Sequence, residues 1–193
     1  MVIGERFVWA HLPKTGGDAT AAMLAAVPGL VQFADPPDTE DKHLPLFAEG
    51  REIAGKLIVM NIRRLPAWAL SAAHHEARFG VHPDYLPRPL QTPDQITSKS
   101  DADGLLRWMT DQGRIEVHRW LRTESLERDV LALLDEFGVL TPAVQTRVRS
   151  VGRMNVGSYE RPAQPFTDAQ IQRLYELNPM WASIERRVYA AAR

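Results

Sequence analysis

The chain has 193 residues, a formal net charge of −1 at neutral pH and no cysteine. This length favours a single domain spanning residues 1–193 with a proper core, and the near-neutral charge argues against a general nucleic-acid binder. The missing cysteines exclude disulfides, thiolate metal sites and a cysteine nucleophile. Because the chain shows neither a membrane-length apolar run nor a signal peptide, we expect a cytoplasmic protein without a membrane partner.

The first half of the chain alternates predicted strands with helical and loop segments. Its clearest strand is KLIVMNI, where apolar residues run almost without interruption. We also predict strands at RFVWAHL and LVQFA, a helix at DATAAMLAAV that ends before Pro28, a polar loop at DPPDTEDKH, and a helix at LPLFAEGREIAG.

The second half begins with RRLPAWALSAAHHEARFG, which reads as a turn that enters a helix. Residues 80–100 contain four prolines, so we expect a long irregular loop that forms part of an acceptor site. The later predicted elements are a strand at IEVHRWLR, a helix whose apolar face is Leu126, Val130, Leu133, Leu134 and Phe137, and a final helix that starts at the capping box Thr167–Gln170 and breaks at Asn178-Pro179.

Strands that alternate with helices favour an α/β fold in which a parallel sheet is flanked by helices on both faces. Ligands of such sheets bind at the carboxyl ends of the strands. We therefore expect the chemistry of this chain in the loops that follow its predicted strands.

One such loop lies in HLPKTGGDAT, between the first predicted strand and its helix. The backbone around Gly16 and Gly17 and the start of the helix can direct N–H groups at an anion. Lys14 adds a mobile positive charge and Thr15 a hydroxyl donor. The lysine precedes the glycines, unlike in nucleotide triphosphatase loops. An ordinary turn in which Asp18 complements the helix dipole explains the same residues, and spacing alone leaves both interpretations open.

A second candidate site follows the clearest strand, in IRRLPAWALS. Arg63 at the strand end and Ser71 in the next helix are eight residues apart. They can grip a phosphate, because a guanidinium pairs with phosphate oxygens bidentately. In isolation, the pair also fits a surface arginine and a helical serine.

Together, the two stretches resemble the sulfotransferases that use 3′-phosphoadenosine 5′-phosphosulfate, in particular short carbohydrate-type and bacterial members. That family has a strand–PKTGGT–helix loop for the 5′-phosphosulfate and, after a later strand, an arginine and a serine for the 3′-phosphate. This chain has HLPKTGGDAT and NIRRLPAWALS in the same order, and LRTESLERDVLALLDEFGV and FTDAQIQRLYELNPMWASIERRVY are also similar. The likeness covers most of the chain and implies a P-loop-like sulfotransferase architecture.

The resemblance implies a donor site in two parts and a late basic loop. The 5′-phosphosulfate would bind at Lys14, Thr15, Gly16, Gly17 and Asp18. The 3′-phosphate would bind at Arg63 and Ser71, with Arg153 and Arg161 on the late loop that closes over it.

This sequence departs from the family pattern at two positions. Asp18 stands where the family usually has a threonine that helps to hold the 5′-phosphate. The proline lies three residues after Arg63, whereas the family has it two residues after the arginine. Arg64 matches the proline spacing but lies one residue too close to Ser71, so Arg63 is the predicted ligand and Arg64 its helper.

Sulfuryl transfer needs charge stabilisation and a base for the acceptor. Lys14 is suited to stabilise the leaving group. His43 in EDKHLPL matches the histidine of carbohydrate-type relatives and is the predicted base, with Glu40 and Asp41 in reserve. His11 is expected near the strand end, oriented by packing. The sequence has no metal motif, and the resemblance implies no metal.

We therefore expect a sulfotransferase that moves a sulfuryl group from 3′-phosphoadenosine 5′-phosphosulfate to a hydroxyl or amine of a small molecule or carbohydrate. Two alternatives stay open. Asp18 prompts a catalytically impaired nucleotide-binding relative, and a small-molecule kinase is disfavoured by the position of the lysine. The predicted irregular loop carries polar side chains that can hold an acceptor, namely Tyr85, Arg88, Gln91 and Lys99.

Overall fold

The computed structural model describes residues 1–36, 38–48, 53–79, 89–152, 154 and 164–190. The contacts between residues group the chain into two compact units. The sheet unit comprises Met1–Ile62 and Arg107–Gly157, and the helical unit comprises Arg63–Leu106 and Ser158–Arg193. The expectation of one domain over residues 1–193 stays a prediction.

The described residues form an α/β structure, which confirms the predicted class. The strands are Val2–Gly4 (β1), Phe7–Ala10 (β2), Val31–Ala34 (β3), Leu57–Ile62 (β4) and Arg119–Arg122 (β5). The α-helices are Gly17–Ala25 (α1), Leu65–Phe79 (α2), Pro93–Lys99 (α3), Ala102–Met109 (α4), Leu126–Glu136 (α5), Pro142–Ser150 (α6), Asp168–Leu177 (α7) and Pro179–Ala190 (α8). Two 3₁₀ turns occupy Glu40–His43 and Thr123–Ser125. No helix among the described residues has the length and apolar character to cross a membrane.

The sheet unit holds all five of these strands in the order β3-β1-β2-β4-β5. β2, β4 and β5 are parallel neighbours, whereas β1 pairs antiparallel with both β2 and β3. The sheet is therefore mixed, which corrects the expectation of an all-parallel sheet. The physical reason is the short connection of β1 to β2 through Glu5 and Arg6, because only antiparallel strands can be joined by so few residues.

The core of the sheet unit lies between the sheet and three of its helices. Phe7 and Trp9 of β2, Val59 of β4 and Leu121 of β5 pack with residues of α1, α5 and α6. All four residues of β2 are buried, and since successive side chains point to opposite faces, both faces of this strand are covered. The uninterrupted apolar sequence FVWA of β2 reflects this burial on both faces.

In the helical unit, two buried side chains cap each other's helices. The Oδ1 atom of Asn178 accepts the N–H groups of Ala102 and Asp103 at the start of α4, at 2.7 and 3.1 Å. Asp103 in turn accepts the N–H groups of Met180 and Trp181 at the start of α8, at 2.8 and 2.7 Å. These bonds satisfy donors that a helix start leaves without intrahelical partners. They also stabilise the break between α7 and α8, which the sequence predicts at Asn178-Pro179.

One predicted helix, at LPLFAEGREIAG, is wrong where the structure describes it. Residues 44–48 form a turn, in which the N–H of Ala48 donates to the carbonyl oxygen of Pro45. The N–H of Leu46 donates to the carbonyl oxygen of Met109, and the Leu46 side chain is fully buried. A long-range bond therefore holds this segment in place of the i→i−4 bonds of a helix. Residues 49–52 lie outside the described residues.

The expectation of an irregular loop over residues 80–100 is also wrong in part, because Pro93–Lys99 is helical. Thr92 caps this helix in a capping box with Gln95, and Pro93 occupies its first turn. Proline is compatible with a first turn, where its missing N–H has no intrahelical acceptor to lose. Residues 80–88 lie outside the described residues, and Tyr85 and Arg88 with them.

Candidate functional site

The candidate anion site is the loop at residues 11–16, which joins β2 to α1 and is called the Lys14 loop below. Lys14 and Gly16 have φ angles of 65° and 86°, in the left-handed region. Gly16 caps α1 without a side-chain hydrogen bond, so no side chain of the cap covers the helix start. The first N–H groups of a helix have no intrahelical partner and carry its positive partial charge. This strand–loop–helix arrangement can bind an anion.

The two glycines of this segment are required for different reasons. A Cβ atom at Gly16 would meet only ordinary van der Waals contacts, so the positive φ is what favours glycine there. A Cβ atom at Gly17 would lie 1.9 Å from the imidazole ring of His11. Gly17 therefore allows the start of α1 to approach the end of β2 closely.

A buried polar network lies beneath the Lys14 loop. Asn61 of β4 donates through Nδ2 to the carbonyl oxygen of Thr15 at 2.9 Å and to Oγ1 of Thr20 at 2.7 Å. Its Oδ1 accepts the indole N–H of Trp9 at 2.8 Å. Thr123 donates to the same Thr15 carbonyl at 2.7 Å. Neither Asn61 nor Thr123 is among the residues predicted from the sequence, although a polar residue inside the apolar run LIVMNI is a usable signal.

The hydroxyl of Thr15 points into the loop itself. Its Oγ1 donates to the carbonyl oxygen of Leu12 at 2.6 Å, and the residue is fully buried. In this conformation Thr15 stabilises the turn, and its hydroxyl proton is already used. Its role as a hydroxyl donor to a ligand stays a prediction.

His43, the predicted base, lies against His11. The two rings are 4.5 Å apart between centroids, and Nδ1 of His43 lies 3.4 Å from the carbonyl oxygen of His11. Trp9 also packs against His11, with ring centroids 5.3 Å apart. The prediction that His11 follows the strand end and is oriented by packing is confirmed. Asp41, a reserve base, is exposed in the same 3₁₀ turn as His43.

The pKa of His11 is lowered to about 3, chiefly by burial and next by the neighbouring His43, with Lys42 and the N-terminal amine also lowering it and the Asp18 carboxylate opposing them. His11 is 5% exposed. Its ring is therefore neutral at physiological pH, and a base with so low a pKa is poorly matched to proton transfer near neutrality. Of these two histidines, His43 remains the candidate base.

Asp18 forms an ion pair with Lys42. Oδ1 of Asp18 in the first turn of α1 lies 3.1 Å from Nζ of Lys42 in the 3₁₀ turn that carries His43. Both side chains are partly buried. The pair places a positive charge beside the carboxylate that departs from the family pattern, and it ties the His43 segment to the start of α1.

Arg63 and Ser71 belong to the helical unit. Arg63 directly follows β4, and its carbonyl oxygen accepts the indole N–H of Trp181 at 3.0 Å. Ser71 lies in α2 and is partly buried. Arg153 and Arg161, the predicted residues of the late basic loop, lie outside the described residues.

Arg64, the predicted helper, takes part in the packing of the helical unit. Its guanidinium donates to Glu185 at 3.0 Å and lies 3.9 Å from the ring centroid of Tyr189. Glu185 also accepts the N–H of Leu65 at the start of α2, at 2.9 Å, and is almost fully buried. Glu185 thus holds the guanidinium of Arg64, and the choice of Arg63 as the phosphate ligand stays a prediction.

The described part of the predicted acceptor loop contributes two polar side chains. Gln91 donates to Glu76 at 2.9 Å, and Lys99 is exposed in the last turn of α3.

No family model, curated protein or solved structure matches this chain. The resemblance to sulfotransferases therefore rests on the motifs of the sequence alone.

Proposed function

We propose that this chain binds 3′-phosphoadenosine 5′-phosphosulfate and transfers its sulfuryl group to a hydroxyl or amine of a small molecule or carbohydrate. The observation that carries the proposal is the Lys14 loop, where left-handed residues lead from a buried strand into a helix start without a side-chain cap. Its geometry and its PKTGG sequence favour the same ligand class, an anionic phosphate ester. The proposed function also implies that the α/β fold of the chain has a P-loop-like sulfotransferase architecture.

In the proposed reaction, the acceptor atom forms a bond to sulfur as the bond from sulfur to the 5′-phosphate oxygen breaks. The leaving group is adenosine 3′,5′-bisphosphate. Positioning and charge neutralisation supply most of the catalysis in a transfer of this kind. Lys14 and the N–H groups at the start of α1 stabilise the charge that develops on the leaving phosphate.

His43 accepts the proton of the acceptor in this proposal. Its Nδ1 lies 3.4 Å from the carbonyl oxygen of His11, so a proton on Nδ1 is directed at that oxygen. Nε2 then carries the lone pair that receives the proton of the acceptor. Arg63 and Ser71, together with Arg153 and Arg161, are proposed as ligands of the 3′-phosphate on the strength of the sequence motifs.

A second candidate function is nucleotide binding without turnover. It is favoured by Asp18, whose carboxylate occupies the first turn of α1 where the family has a hydroxyl. The ion pair with Lys42 offsets this charge and supports the active assignment. The two candidates differ in whether sulfate is transferred to any acceptor.

Lys14→Ala tests the proposal, with release of adenosine 3′,5′-bisphosphate from the donor as the measurement and a panel of hydroxyl and amine acceptors. We expect turnover to fall about 100-fold, as when one group that stabilises developing charge is removed. Lys56→Ala is the matched control, because Lys56 lies in the sheet unit and donates to the carbonyl oxygens of Gly4 and Glu5, away from the loop. Equal turnover in wild type and Lys14→Ala would remove Lys14 from the mechanism.

A further inference from the structure

The carbonyl oxygen of Thr15 accepts hydrogen bonds from two buried side chains. Nδ2 of Asn61 donates to it at 2.9 Å and Oγ1 of Thr123 at 2.7 Å, a shorter distance than the 3.1 Å from the same hydroxyl to the carbonyl oxygen of Ile62. Asn61 comes from β4, and Thr123 directly follows β5, the parallel neighbour of β4. Two adjacent strand ends therefore hold one peptide group of the Lys14 loop.

This contact fixes the direction of the next N–H group. The described residues contain no cis peptide bond, and in a planar trans peptide the carbonyl oxygen and the N–H point to opposite sides. With the Thr15 oxygen directed inward at Asn61 and Thr123, the N–H of Gly16 points away from the buried network. The loop thus presents a donor on its outer side.

The orientation of Asn61 is itself determined by its other partners. Its Oδ1 accepts the indole N–H of Trp9 at 2.8 Å, and its Nδ2 also donates to Oγ1 of Thr20 at 2.7 Å. Because an indole nitrogen can only donate, the amide oxygen must face Trp9 and the NH₂ group must face the loop. Thr20 Oγ1 donates onward to the carbonyl oxygen of Gly16 at 3.1 Å.

The hydrogen bonds to the Thr15 carbonyl oxygen matter because the following residue is a glycine. Glycine adopts positive and negative φ almost equally well, so the backbone of Gly16 by itself opposes a rotation of the Thr15–Gly16 peptide only weakly. A rotated peptide would direct its carbonyl oxygen outward. An outward oxygen would repel the anion that an outward N–H attracts.

We propose that Asn61 and Thr123 are positioning residues that lock the Thr15–Gly16 peptide with its N–H outward, so that the Lys14 loop is preorganised for an anion. This inference rests on the proposed function of the loop. In this proposal Asn61 of β4 and Thr123, which directly follows β5, contact no ligand and act through the backbone of the Lys14 loop.

The test compares Thr123→Val, which removes the hydroxyl but keeps the branched shape, with Thr123→Ser, which keeps the hydroxyl. Val148→Ala is the matched control for stability, because Val148 is fully buried in the core of the same unit. Asn61→Asp is a second variant, since a carboxylate cannot donate to the Thr15 oxygen. Each protein is studied without ligand by ¹⁵N relaxation dispersion at Gly16, and then titrated with adenosine 3′,5′-bisphosphate.

We expect Thr123→Val to show millisecond exchange at Gly16 and to bind about tenfold more weakly, the order of effect of one lost hydrogen bond. Thr123→Ser and Val148→Ala should behave as wild type in both measurements. Unchanged dispersion or unchanged affinity in Thr123→Val would overturn the positioning role. A wild type that binds no bisphosphate would overturn the proposed function instead, while the dispersion measurement would still decide whether the peptide is locked.

Discussion

Asp18, which stands where the sulfotransferase motif has a threonine, forms an ion pair with Lys42. A carboxylate at the start of α1 opposes the approach of an anion, and the ammonium 3.1 Å away offsets that effect. The two charges should therefore be coupled in their effect on ligand affinity. Separating them requires variants of each residue and of both together.

We predict that Lys42→Met weakens the binding of adenosine 3′,5′-bisphosphate about fivefold to tenfold, because the Lys42 ammonium then no longer offsets the charge of the Asp18 carboxylate. Asp18→Thr should bind as well as wild type or more tightly. The double variant Asp18→Thr/Lys42→Met should recover most of the loss seen in Lys42→Met. Calorimetric titration of the four proteins checks this, and a double variant as weak as Lys42→Met would show that Asp18 does not act on the ligand.

Buried His11 should make the stability of the protein depend on pH. Its pKa is 6.5 in an ordinary environment and about 3 in the folded protein, chiefly through burial, with His43, Lys42 and the N-terminal amine lowering it further and Asp18 opposing them. Between these values the unfolded chain takes up a proton that the folded protein does not. The contribution is thus fully present above about pH 6.5 and is lost as the pH falls toward 3.

The expected loss of unfolding free energy from this group is about 1.4 kcal/mol per pH unit within that window. Urea unfolding at pH 7 and pH 5.5 measures it before most carboxylates titrate. His11→Gln should flatten the pH dependence. His75→Gln, which changes an exposed histidine of α2, should leave it as in wild type. Equal slopes in wild type and His11→Gln would contradict the assignment of a buried neutral imidazole.

At the scale of elements, the junction of β2 and α1 depends on the close approach of Gly17 to His11. A methyl group at Gly17 would lie 1.9 Å from the His11 ring, which packs against Trp9 and His43. Because the ring is buried and packs against two other rings, it has little room to move. The start of α1 should therefore shift when a side chain is added.

We predict that Gly17→Ala lowers the unfolding free energy by about 1–3 kcal/mol, the usual cost of inserting a methyl group into a packed site. The same change in a His11→Ala background should cost less than about 1 kcal/mol, because the ring that it meets is gone. Chemical denaturation of the two single variants and the double variant measures this coupling. An equal cost in both backgrounds would mean that His11 does not impose the glycine.

The sequence predicts those elements whose signals lie within a few neighbouring residues, and it does not predict those that depend on distant residues. The capping box Thr167–Gln170 predicts the start of α7. The same spacing at Thr92–Gln95 caps α3, although the prolines around it favour an irregular loop. β1 was missed because three residues carry too little periodicity to be recognised. The turn at residues 44–48 depends on a bond to Met109, which no local window contains.

The candidate site was predictable to a similar extent. The Lys14 loop follows from the glycines after a predicted strand, Arg63 from its place after the clearest strand, and His43 from the resemblance to carbohydrate-type sulfotransferases. Asn61 and Thr123 were missed because their role depends on the parallel register of β4 and β5, in which Asn61 lies opposite Leu121. The ion pair of Asp18 with Lys42 likewise joins residues from two separate segments.

At the scale of the whole molecule, the sheet unit carries the Lys14 loop and His43, and the helical unit carries Arg63 and Ser71. We propose that the protein recognises an adenosine nucleotide with a 3′-phosphate. A 3′-phosphate held by charge-assisted hydrogen bonds should contribute about 1.5–3 kcal/mol, a gain of tenfold or more in affinity. A small-molecule kinase would instead prefer ADP or ATP.

Calorimetric titration of the wild-type protein with adenosine 3′,5′-bisphosphate, AMP and ADP under the same salt conditions tests this claim most directly. We predict that the bisphosphate binds at least about tenfold more tightly than AMP or ADP, and that Arg63→Ala removes most of this preference. Equal affinity for the bisphosphate and AMP would contradict the assignment of Arg63 and Ser71. Tighter binding of ADP than of the bisphosphate would contradict the sulfotransferase assignment itself.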